Sequence, residues 1–289
     1  MNELKKDTKI LIVGLGVIGG GYAKALTNNG YKHVRCITKN AADIEYAMTH
    51  GMIEFGTDKI DEEIIGESEL IIFALYPHIF KEWIAENQHL FSKGTIITDV
   101  TGVKSGIVRE VQDTLRDDVE FISAHPMAGR EMSGVEYSDA EVFKGANYIV
   151  VPTEKNTENG IEICKALGRE LGFSKISTLS IEEHDRMIAF LSQLTHCIAV
   201  TLMNANESPD LEKYTGDSFR DLTRIAKIND VMWSELFILN KDALLSEMDT
   251  FIDKFKEFRS MLEISDSEGL RLEMRKATAK RELFDKKKN

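Results

Sequence analysis

The first 179 residues alternate between short apolar runs and stretches in which apolar residues have helical spacing. The runs have no polar face, which is typical of strands buried on both sides of a parallel sheet. This alternation predicts an α/β fold with a doubly wound parallel sheet. The predicted strands cover residues 8–13, 34–38, 70–75, 95–100, 120–124, 147–151 and 175–179, and the predicted helices among them cover 18–29, 42–50 and 106–115.

The pattern changes after residue 179, where apolar residues recur every three or four positions and no further strand is predicted. Ser180 and Glu183 form a capping-box pattern, which marks the start of a long helix. The sequence therefore predicts two domains, residues 1–179 and an all-helical domain over 180–289. Apolar helices at this end favour pairing with a second copy of the chain as a homodimer. The predicted helices cover 181–204, 218–228 and 231–262.

Composition and charge exclude several classes of protein. Of the 289 residues, 43% are hydrophobic and 29% charged, with 20 glycines and 4 prolines, as in soluble globular proteins. The formal net charge of −12 repels phosphate backbones and anionic membranes. No stretch is expected to reach the roughly 18 apolar residues of a membrane span. We therefore expect neither a nucleic acid nor a membrane as a partner.

The cysteines and histidines indicate the compartment and argue against a metal. The three cysteines lie far apart in mostly apolar surroundings, which is typical of a reduced cytoplasm. There is no CxxC pair and no ligand spacing among the histidines, so no metal site is predicted. The uncharged run 10–23 has about the length of a signal-peptide core, but its glycines favour a turn and hence a cytoplasmic protein.

A glycine-rich motif follows the first predicted strand and opens the first predicted helix. In GLGVIG the first glycine allows a tight turn, the second lets the backbone approach a pyrophosphate, and the third lets helix and strand pack closely. The positive end of the helix favours the phosphates of a dinucleotide. A glycine-rich turn in an unrelated sheet is the alternative. The predicted cofactor-binding residues here are Gly14, Leu15, Gly16, Val17, Ile18 and Gly19.

The end of the second predicted strand bears on the choice between NAD and NADP. An acidic residue usually follows the glycines by about 20 positions and binds the ribose hydroxyls of NAD. Here Thr38 and Lys39 stand at that place and no carboxylate does, so we expect NADP to be at least tolerated. A solvent-exposed strand end without a cofactor role is the alternative. Leu75, which ends the strand 70–75, is also predicted to contact the cofactor.

His125 directly follows the predicted strand 120–124, at the edge of the sheet where ligands bind in this architecture. A histidine there can act as a general base near neutral pH. A histidine that caps a turn is the alternative. The proline and the glycine-rich turn that follow it favour the catalytic role.

Two residues of the helical region are candidates for substrate binding. His196 lies in the middle of an apolar helix, where an imidazole needs a hydrogen-bond partner or a ligand, and a satisfied core histidine is equally compatible. Arg224 follows Asp221 by three positions. Such a pair suits a bidentate grip on a carboxylate, with Asp221 orienting the guanidinium. A salt bridge within the helix is the alternative.

Five motifs together make the chain resemble the prephenate dehydrogenase family, which includes the arogenate and cyclohexadienyl dehydrogenases. The resemblance covers nearly the whole sequence. It implies a Rossmann-type, dinucleotide-binding domain over 1–179 and a helical substrate-binding and dimerisation domain over 180–289. The motifs are GLGVIGG at 14–20, DVTGVK at 99–104, HPMAGREMSG at 125–134, SQLTH at 192–196 and FRDLTRIA at 219–226.

The resemblance implies oxidative decarboxylation of prephenate to 4-hydroxyphenylpyruvate in tyrosine biosynthesis, with hydride transfer to NAD or NADP. His125 matches the catalytic base of the family, and His196 and Arg224 match its substrate-binding positions. The base must be neutral, so activity is expected to rise with pH through the histidine range. Prephenate carries two carboxylates, so its site needs local cations in a protein of net charge −12.

Three positions depart from the pattern of the family. Gly102 replaces a serine that often assists the catalytic histidine, so we expect Thr101 to supply that hydrogen bond as a catalytic residue. Gln193 replaces the first histidine of the SHLPH pattern. Arg130 stands where a small hydroxyl residue is common, and its cation is expected to bind substrate and to favour dianionic prephenate over zwitterionic arogenate. A surface arginine is the alternative for Arg130.

Other functions stay open at this point. One is an arogenate dehydrogenase. Another is a β-hydroxyacid dehydrogenase or imine reductase, which also pairs a Rossmann domain with C-terminal helices. The β-hydroxyacid enzymes use a lysine on a helix of the second domain, whereas this chain offers His125 and Arg224. A nicotinamide-binding sensor without catalysis is the alternative from another class.

Overall fold

Residues 3–129, 132–208 and 210–284 are described by a computed structural model. Six parallel strands form the main sheet, in the spatial order 3-2-1-4-5-6. The order reverses between the first and fourth strands, which is the switch point where ligands bind in doubly wound sheets. The predicted doubly wound parallel sheet is confirmed. Its strands are β1 (Lys9–Val13), β2 (His33–Ile37), β3 (Phe55–Thr57), β4 (Leu70–Phe73), β5 (Ile96–Asp99) and β6 (Glu120–Phe121).

Alternate residues of β1 pack in two separate apolar clusters. Ile10 and Ile12 belong to one cluster. Leu11 and Val13 belong to the other. Because successive strand residues face opposite sides of a sheet, helices on both sides explain why this strand has no polar face. The helices of this region are α1 (Val17–Asn28), α2 (Ala41–Thr49), α3 (Glu62–Glu67), α4 (Pro77–Asn87), α5 (Val108–Thr114) and α6 (Glu158–Glu170).

A second, three-stranded sheet contains the candidate base. It consists of β7 (Ser123–Met127), β8 (Asn147–Val151) and β9 (Lys175–Thr178), with β7 antiparallel to β8 and β8 parallel to β9. The prediction of one strand over 120–124 is therefore wrong. Glu120–Phe121 pairs with β5 in the main sheet, whereas the chain from Ser123 pairs with β8. His125 lies inside β7 and does not follow the strand.

After β9 the described residues form helices and the connections between them and contain no strand, as predicted. The predicted capping box is confirmed, because the Ser180 side chain accepts from the Glu183 N–H and the Glu183 side chain accepts from the Ser180 N–H. The predicted helix over 231–262 is two helices that meet at Asn240. The helices are α7 (Ile181–Ile188), α8 (Leu194–Asn204), α9 (Asp217–Thr223), α10 (Asp230–Leu239), α11 (Lys241–Glu263) and α12 (Ser267–Glu282).

A π-turn over Ala189–Gln193 joins α7 and α8 into one continuous helix of 24 residues, Ile181–Asn204. By length and composition this helix meets the requirement for a membrane span, so the expectation that no stretch does is wrong. The core helix of a soluble protein meets the same requirement. Here His184 and Asp185 are buried within the protein, in the second turn of that helix.

Contacts divide the chain into two compact units, Met1–Lys241 and Asp242–Asn289. The second unit begins within α11 and includes α12. The domain boundary between residues 179 and 180 stays a prediction.

The loop between β1 and α1 has the backbone geometry that its glycines allow. Gly14 has a φ of +95°, and a Cβ added there would lie 2.5 Å from the Ala74 carbonyl oxygen. A Cβ added to Gly19 would lie 2.1 Å from the Gly14 carbonyl oxygen. A Cβ added to Gly16 would meet no atom within 4 Å. Two of the three glycines are therefore required by the fold, and Gly16 exposes bare backbone at the start of α1.

We expect Gly19→Ala to destabilise the protein by about 1 to 3 kcal/mol, because the added methyl group overlaps the turn backbone. Gly16→Ala is the matched control, since its methyl group has room, and its stability should stay within about 0.5 kcal/mol of the parent. Urea unfolding followed by circular dichroism measures both. Equal stability of the two variants would contradict this account of the loop.

Candidate active site

A fully buried ion pair lies beneath the candidate base. The Lys104 Nζ is 3.0 Å from Asp99 Oδ2, and neither side chain is exposed to solvent. The ammonium also donates to the Ala124 carbonyl oxygen at 2.7 Å and to Thr101 Oγ1 at 3.2 Å, so its three hydrogens all have acceptors. Burial lowers the pKa of Lys104 and the charge of Asp99 opposes that shift. A buried charge needs this degree of compensation.

The same pair fixes the backbone next to His125. Asp99 Oδ1 accepts from the Ala124 N–H at 3.0 Å and from the Ser123 hydroxyl at 2.6 Å. Lys104 holds the carbonyl group of Ala124, so both polar backbone groups of that residue are bound by the ion pair. The start of β7, and with it the position of His125, is therefore set from the carboxyl end of β5.

His125 is the first member of a hydrogen-bonded relay. Its Nδ1 lies 2.9 Å from His184 Nε2, and His184 Nδ1 lies 2.7 Å from Asp185 Oδ1. The Asp185 carboxylate is held in turn by the backbone N–H groups of Lys104 and Ser105, at 2.9 and 2.6 Å. The relay connects the second sheet to α7 and to the loop after β5.

The ionisation of the relay follows from its surroundings. Burial raises the pKa of Asp185, but hydrogen bonds from His184 and Ser105 outweigh it and hold that pKa below the ordinary value. Burial lowers the pKa of His184, against the hydrogen bond to Asp185. Burial lowers the pKa of His125 well below 6.5, and the positive charge of Lys104 and any positive charge on His184 lower it further. Both imidazoles are therefore neutral at pH 7.

Neutral imidazoles in this relay have a defined tautomer. An ionised carboxylate only accepts, so His184 carries its proton on Nδ1 and its Nε2 is an acceptor. His125 must then donate from Nδ1, which leaves a lone pair on its Nε2. A Cβ built on Gly102 would lie 3.8 Å from that Nε2, so the backbone of the loop after β5 comes close to the basic nitrogen. The arrangement can take a proton at Nε2 while Nδ1 stays bound.

Helix α10 lies against this edge of the main sheet. A Cβ on Gly102 would also meet Leu236 of α10 at 3.7 Å. Glu235 accepts from the His78 backbone N–H at 2.8 Å, and its other oxygen lies 2.9 Å from His78 Nδ1. Asn229 donates to the Tyr76 hydroxyl at 2.9 Å. These bonds tie α10 to the start of α4, which follows the carboxyl end of β4.

His196 approaches the same helix from α8. Its ring stacks on Trp233, with 3.7 Å between centroids, and its Nδ1 lies 2.8 Å from the Ser192 carbonyl oxygen. His196 is thus half-buried, because Trp233 covers one face of its ring. Arg224 begins a short 3₁₀ turn that packs against α8. Asp221 is exposed on α9.

The predicted cofactor residues lie along the carboxyl edge of the main sheet. Gly16 is the N-cap of α1 and is exposed, so the bare helix start described above is open to solvent. Leu75 adjoins the loop, because its Cδ2 would lie 2.8 Å from a Cβ on Gly14. Thr38 and Lys39 follow β2, and Asn40 uses its side chain to cap α2. This cradle of backbone N–H groups at a helix start fits the pyrophosphate of a dinucleotide.

Thr101 and Arg130 are the two remaining predicted site residues. The expected hydrogen bond from Thr101 to His125 is wrong: the buried Thr101 hydroxyl donates to Asp99 and lies 3.1 Å from the Val103 carbonyl oxygen. His184 bonds to His125 instead. Arg130 lies outside the described residues.

Sequence reasoning missed His184 and Asp185 as members of the site. They stand 59 and 60 positions after His125, and the only local signal was a histidine and an aspartate placed together one turn after a helix cap. Lys104 and Asp99 were visible in the DVTGVK motif, but their pairing became apparent only from their burial. Trp233 carried no signal beyond its aromatic character.

Two family models match the chain. The one described as "Prephenate dehydrogenase, nucleotide-binding domain" matches residues 22–176. The one described as "Prephenate dehydrogenase, dimerization domain" matches residues 180–276. Between them they include the whole relay, whereas the glycine loop at 14–19 lies just before the first match.

Individual proteins show the same relationship. The prephenate dehydrogenase of Bacillus subtilis (strain 168) is 32% identical over 282 residues, covering 93% of this chain and 74% of that protein. The cyclohexadienyl dehydrogenase of Zymomonas mobilis is 28% identical over 270 residues, 90% of each chain. The crystal structure of prephenate dehydrogenase from A. aeolicus with hydroxyphenyl propionate and NAD+ matches with a TM-score of 0.89 and 29% identity, covering 96% of this chain and 98% of that one.

We expect Lys104→Met to destabilise the protein by about 3 to 5 kcal/mol, because it leaves the Asp99 carboxylate buried without its cation. The double variant Asp99→Asn/Lys104→Met removes both charges and should recover part of that loss. Urea unfolding at pH 7 measures each free energy. A single variant as stable as the parent, or a double variant less stable than the single one, would refute the assigned role of the pair.

Proposed function

The chain belongs to the prephenate dehydrogenase family, and from that membership we propose that it converts prephenate to 4-hydroxyphenylpyruvate and carbon dioxide. The observation that carries the proposal is the relay from His125 through His184 to Asp185. It provides a neutral base with its free nitrogen at the edge of the sheet where the dinucleotide cradle lies. The structure of the A. aeolicus relative holds NAD+ and hydroxyphenyl propionate, which supports a ligand of this class.

The relay suits the proton transfer that the reaction requires. The cyclohexadienol of prephenate loses its hydroxyl proton to His125 Nε2 while the hydrogen on the same carbon leaves with its electron pair. Loss of the ring carboxylate as carbon dioxide supplies the electrons that make the ring aromatic, and the ring oxygen takes the proton back from His125 to become the phenol hydroxyl of the product. The His125 imidazolium keeps its bond to His184, whose Nδ1–H faces the Asp185 carboxylate. Asp185 thus favours the charge that forms on the base.

The chain uses NAD or NADP, and the residues present fit such a cofactor. When bound, the nicotinamide would supply the hydride acceptor. Gly14 and Gly19 form the tight turn, and Gly16 with the N–H groups at the start of α1 would hold the pyrophosphate. Leu75 lies beside that turn. Leu15, Val17 and Ile18 complete the proposed cofactor-binding segment.

We further propose that NADP is at least tolerated. Thr38 and Lys39 are the side chains that follow β2, and Asn40 is engaged as the cap of α2, so no carboxylate stands where NAD-specific enzymes usually bind the ribose. Lys39 is exposed and carries the positive charge that a 2′-phosphate needs.

The helical region supplies the groups proposed to bind the two carboxylates of prephenate. Arg224 is assigned to a substrate carboxylate, and Asp221, three residues earlier, is assigned to orient it. His196 offers a ring held by Trp233 and by the Ser192 carbonyl group. We keep Arg130 as a candidate that favours prephenate over arogenate, on its charge alone.

The exposed apolar residues of the second unit support a homodimer. Along α11, Leu245, Ile252, Phe255 and Leu262 are exposed at spacings of seven, three and seven, which is a helix-packing stripe. The match to a dimerization domain supports the same assembly. The three free cysteines, Cys36, Cys164 and Cys197, favour a reducing cytoplasm as its location.

Purified protein mixed with prephenate and either NAD or NADP should produce reduced nicotinamide, measured by its absorbance, together with carbon dioxide. We expect turnover with NADP, and Lys39→Ala should raise the KM for NADP severalfold while leaving the KM for NAD nearly unchanged. Catalytic efficiency far higher with NAD would overturn the NADP proposal. Formation of reduced nicotinamide with arogenate but not with prephenate would make arogenate the substrate. Inactivity with both would favour a hydroxyacid dehydrogenase or a sensor.

The rise of kcat/KM with pH should occur below pH 6.5, because the base must be neutral and its surroundings lower the pKa of His125. Activity should therefore hold at pH 6.5 and fall only when more acidic buffer protonates the imidazole. His125→Asn, the control, should lose about 10²- to 10⁴-fold in kcat, and its remaining activity should not show this fall in acidic buffer. A rise of kcat/KM at pH 6.5 or above would contradict the proposed relay.

A further inference from the structure

The helix that carries both His184 and His196 is not a regular α-helix. Between them, at Ala189–Gln193, the Leu194 N–H bonds to the Ala189 carbonyl oxygen five residues earlier. A π-turn accommodates one extra residue compared with an α-helix. The burial pattern shows the same step, because buried pairs occur at 184 and 185, at 188 and 189, and then five residues on at 193 and 194.

The extra residue changes where His196 faces. In a regular α-helix each residue turns about 100°, so two residues twelve apart point about 120° away from each other. One extra residue in between reduces the effective separation to eleven, and the difference falls to about 20°. The π-turn therefore aligns His196 with His184, which bonds to the base, and brings His196 onto Trp233 of α10.

Two buried amides hold the π-turn in place. Gln193, the last residue of the turn, donates to the Leu236 carbonyl oxygen at 2.9 Å and accepts from Asn240 Nδ2 at 2.7 Å. Asn240 also donates to the Asp185 carbonyl oxygen at 2.9 Å. Gln193 and Asn240 are 1% and 4% exposed, so these bonds form away from water, where an unmade bond costs most. The amides thus connect α7, the π-turn and α10.

We propose that Gln193 and Asn240 are positioning residues, which set the substrate-binding angle of His196 by stabilising the π-turn. This inference rests on the proposed substrate role of His196. A purely structural amide pair would lower stability when removed without acting through any one side chain. A positioning pair must act through His196.

A double-mutant cycle separates these two cases. Gln193→Met keeps the length of the side chain but removes both hydrogen bonds. It should raise the KM for prephenate about tenfold, with the KM for the dinucleotide within twofold of the parent. In a His196→Ala background the same change should add less than twofold, because the residue it positions is gone. Asn240→Leu should have the same effect, and it replaces Gln193→Met in the cycle if that variant does not fold.

Two controls exclude a general loss of stability. Ile188→Ala removes a buried side chain just before the π-turn, so it should lower Tm without raising the KM for prephenate. The exchanged pair Gln193→Asn/Asn240→Gln retains both amides and the summed length, and it should return the KM to within threefold of the parent.

The outcomes are distinguishable. If Gln193→Met raises the KM equally with and without His196, or leaves it unchanged, the positioning role is wrong. If His196→Ala itself leaves the KM for prephenate unchanged, the proposed substrate role of His196 is wrong and the positioning role falls with it. A KM that rises only when His196 is present supports both.

Discussion

The buried contact between Asp99 and Lys104 is the constraint on which the candidate site depends. A lysine with no solvent exposure needs an acceptor for each ammonium hydrogen, and those acceptors here are Asp99, Thr101 and the Ala124 carbonyl group. Each bond fixes a different piece of chain at the carboxyl edge of the sheet. The strand that contains His125 cannot shift without breaking one of them. Replacing the pair by apolar residues would remove these directional constraints along with the charges.

The relay extends this constraint into the helical region. The backbone N–H of Lys104 binds Asp185, and Asp185 fixes the tautomer of His184. His184 in turn determines which nitrogen of His125 is free. The chain of dependence therefore runs from a structural ion pair to the protonation state of the candidate base, through hydrogen bonds of 2.7 to 2.9 Å. Its members come from three segments of the sequence, at 99–104, 125 and 184–185, which is why the site exists only in the folded protein.

The features that the sequence predicted correctly are those that depend on local pattern. Buried strands are continuous apolar runs and the capping box at Ser180 spans four residues, so both can be recognised in the amino-acid sequence. The break between β6 and β7 is not visible, because Glu120–Phe121 and Ser123–Met127 differ only in the strand beside which each lies. Thr101 was misassigned for a related reason. Its hydroxyl could have bonded to His125 or to Asp99. It donates to Asp99, whose carboxylate is buried and charged.

The π-turn is likewise a feature of the helical region that local sequence pattern does not reveal. It also bears on which elements carry the separate functions of the candidate site. Helical periodicity predicts one helix over 181–204, but the direction of His196 depends on an added residue that periodicity does not reveal. The charge of Lys104 is engaged by Asp99, so this lysine does not offer its charge to a dianionic substrate. A cation placed directly against His125 would lower the pKa of the base further and oppose its protonation. The proposed role of Arg224, which lies beyond the π-turn on a segment packed against α8, assigns anion binding to a different element from the one that carries the candidate base.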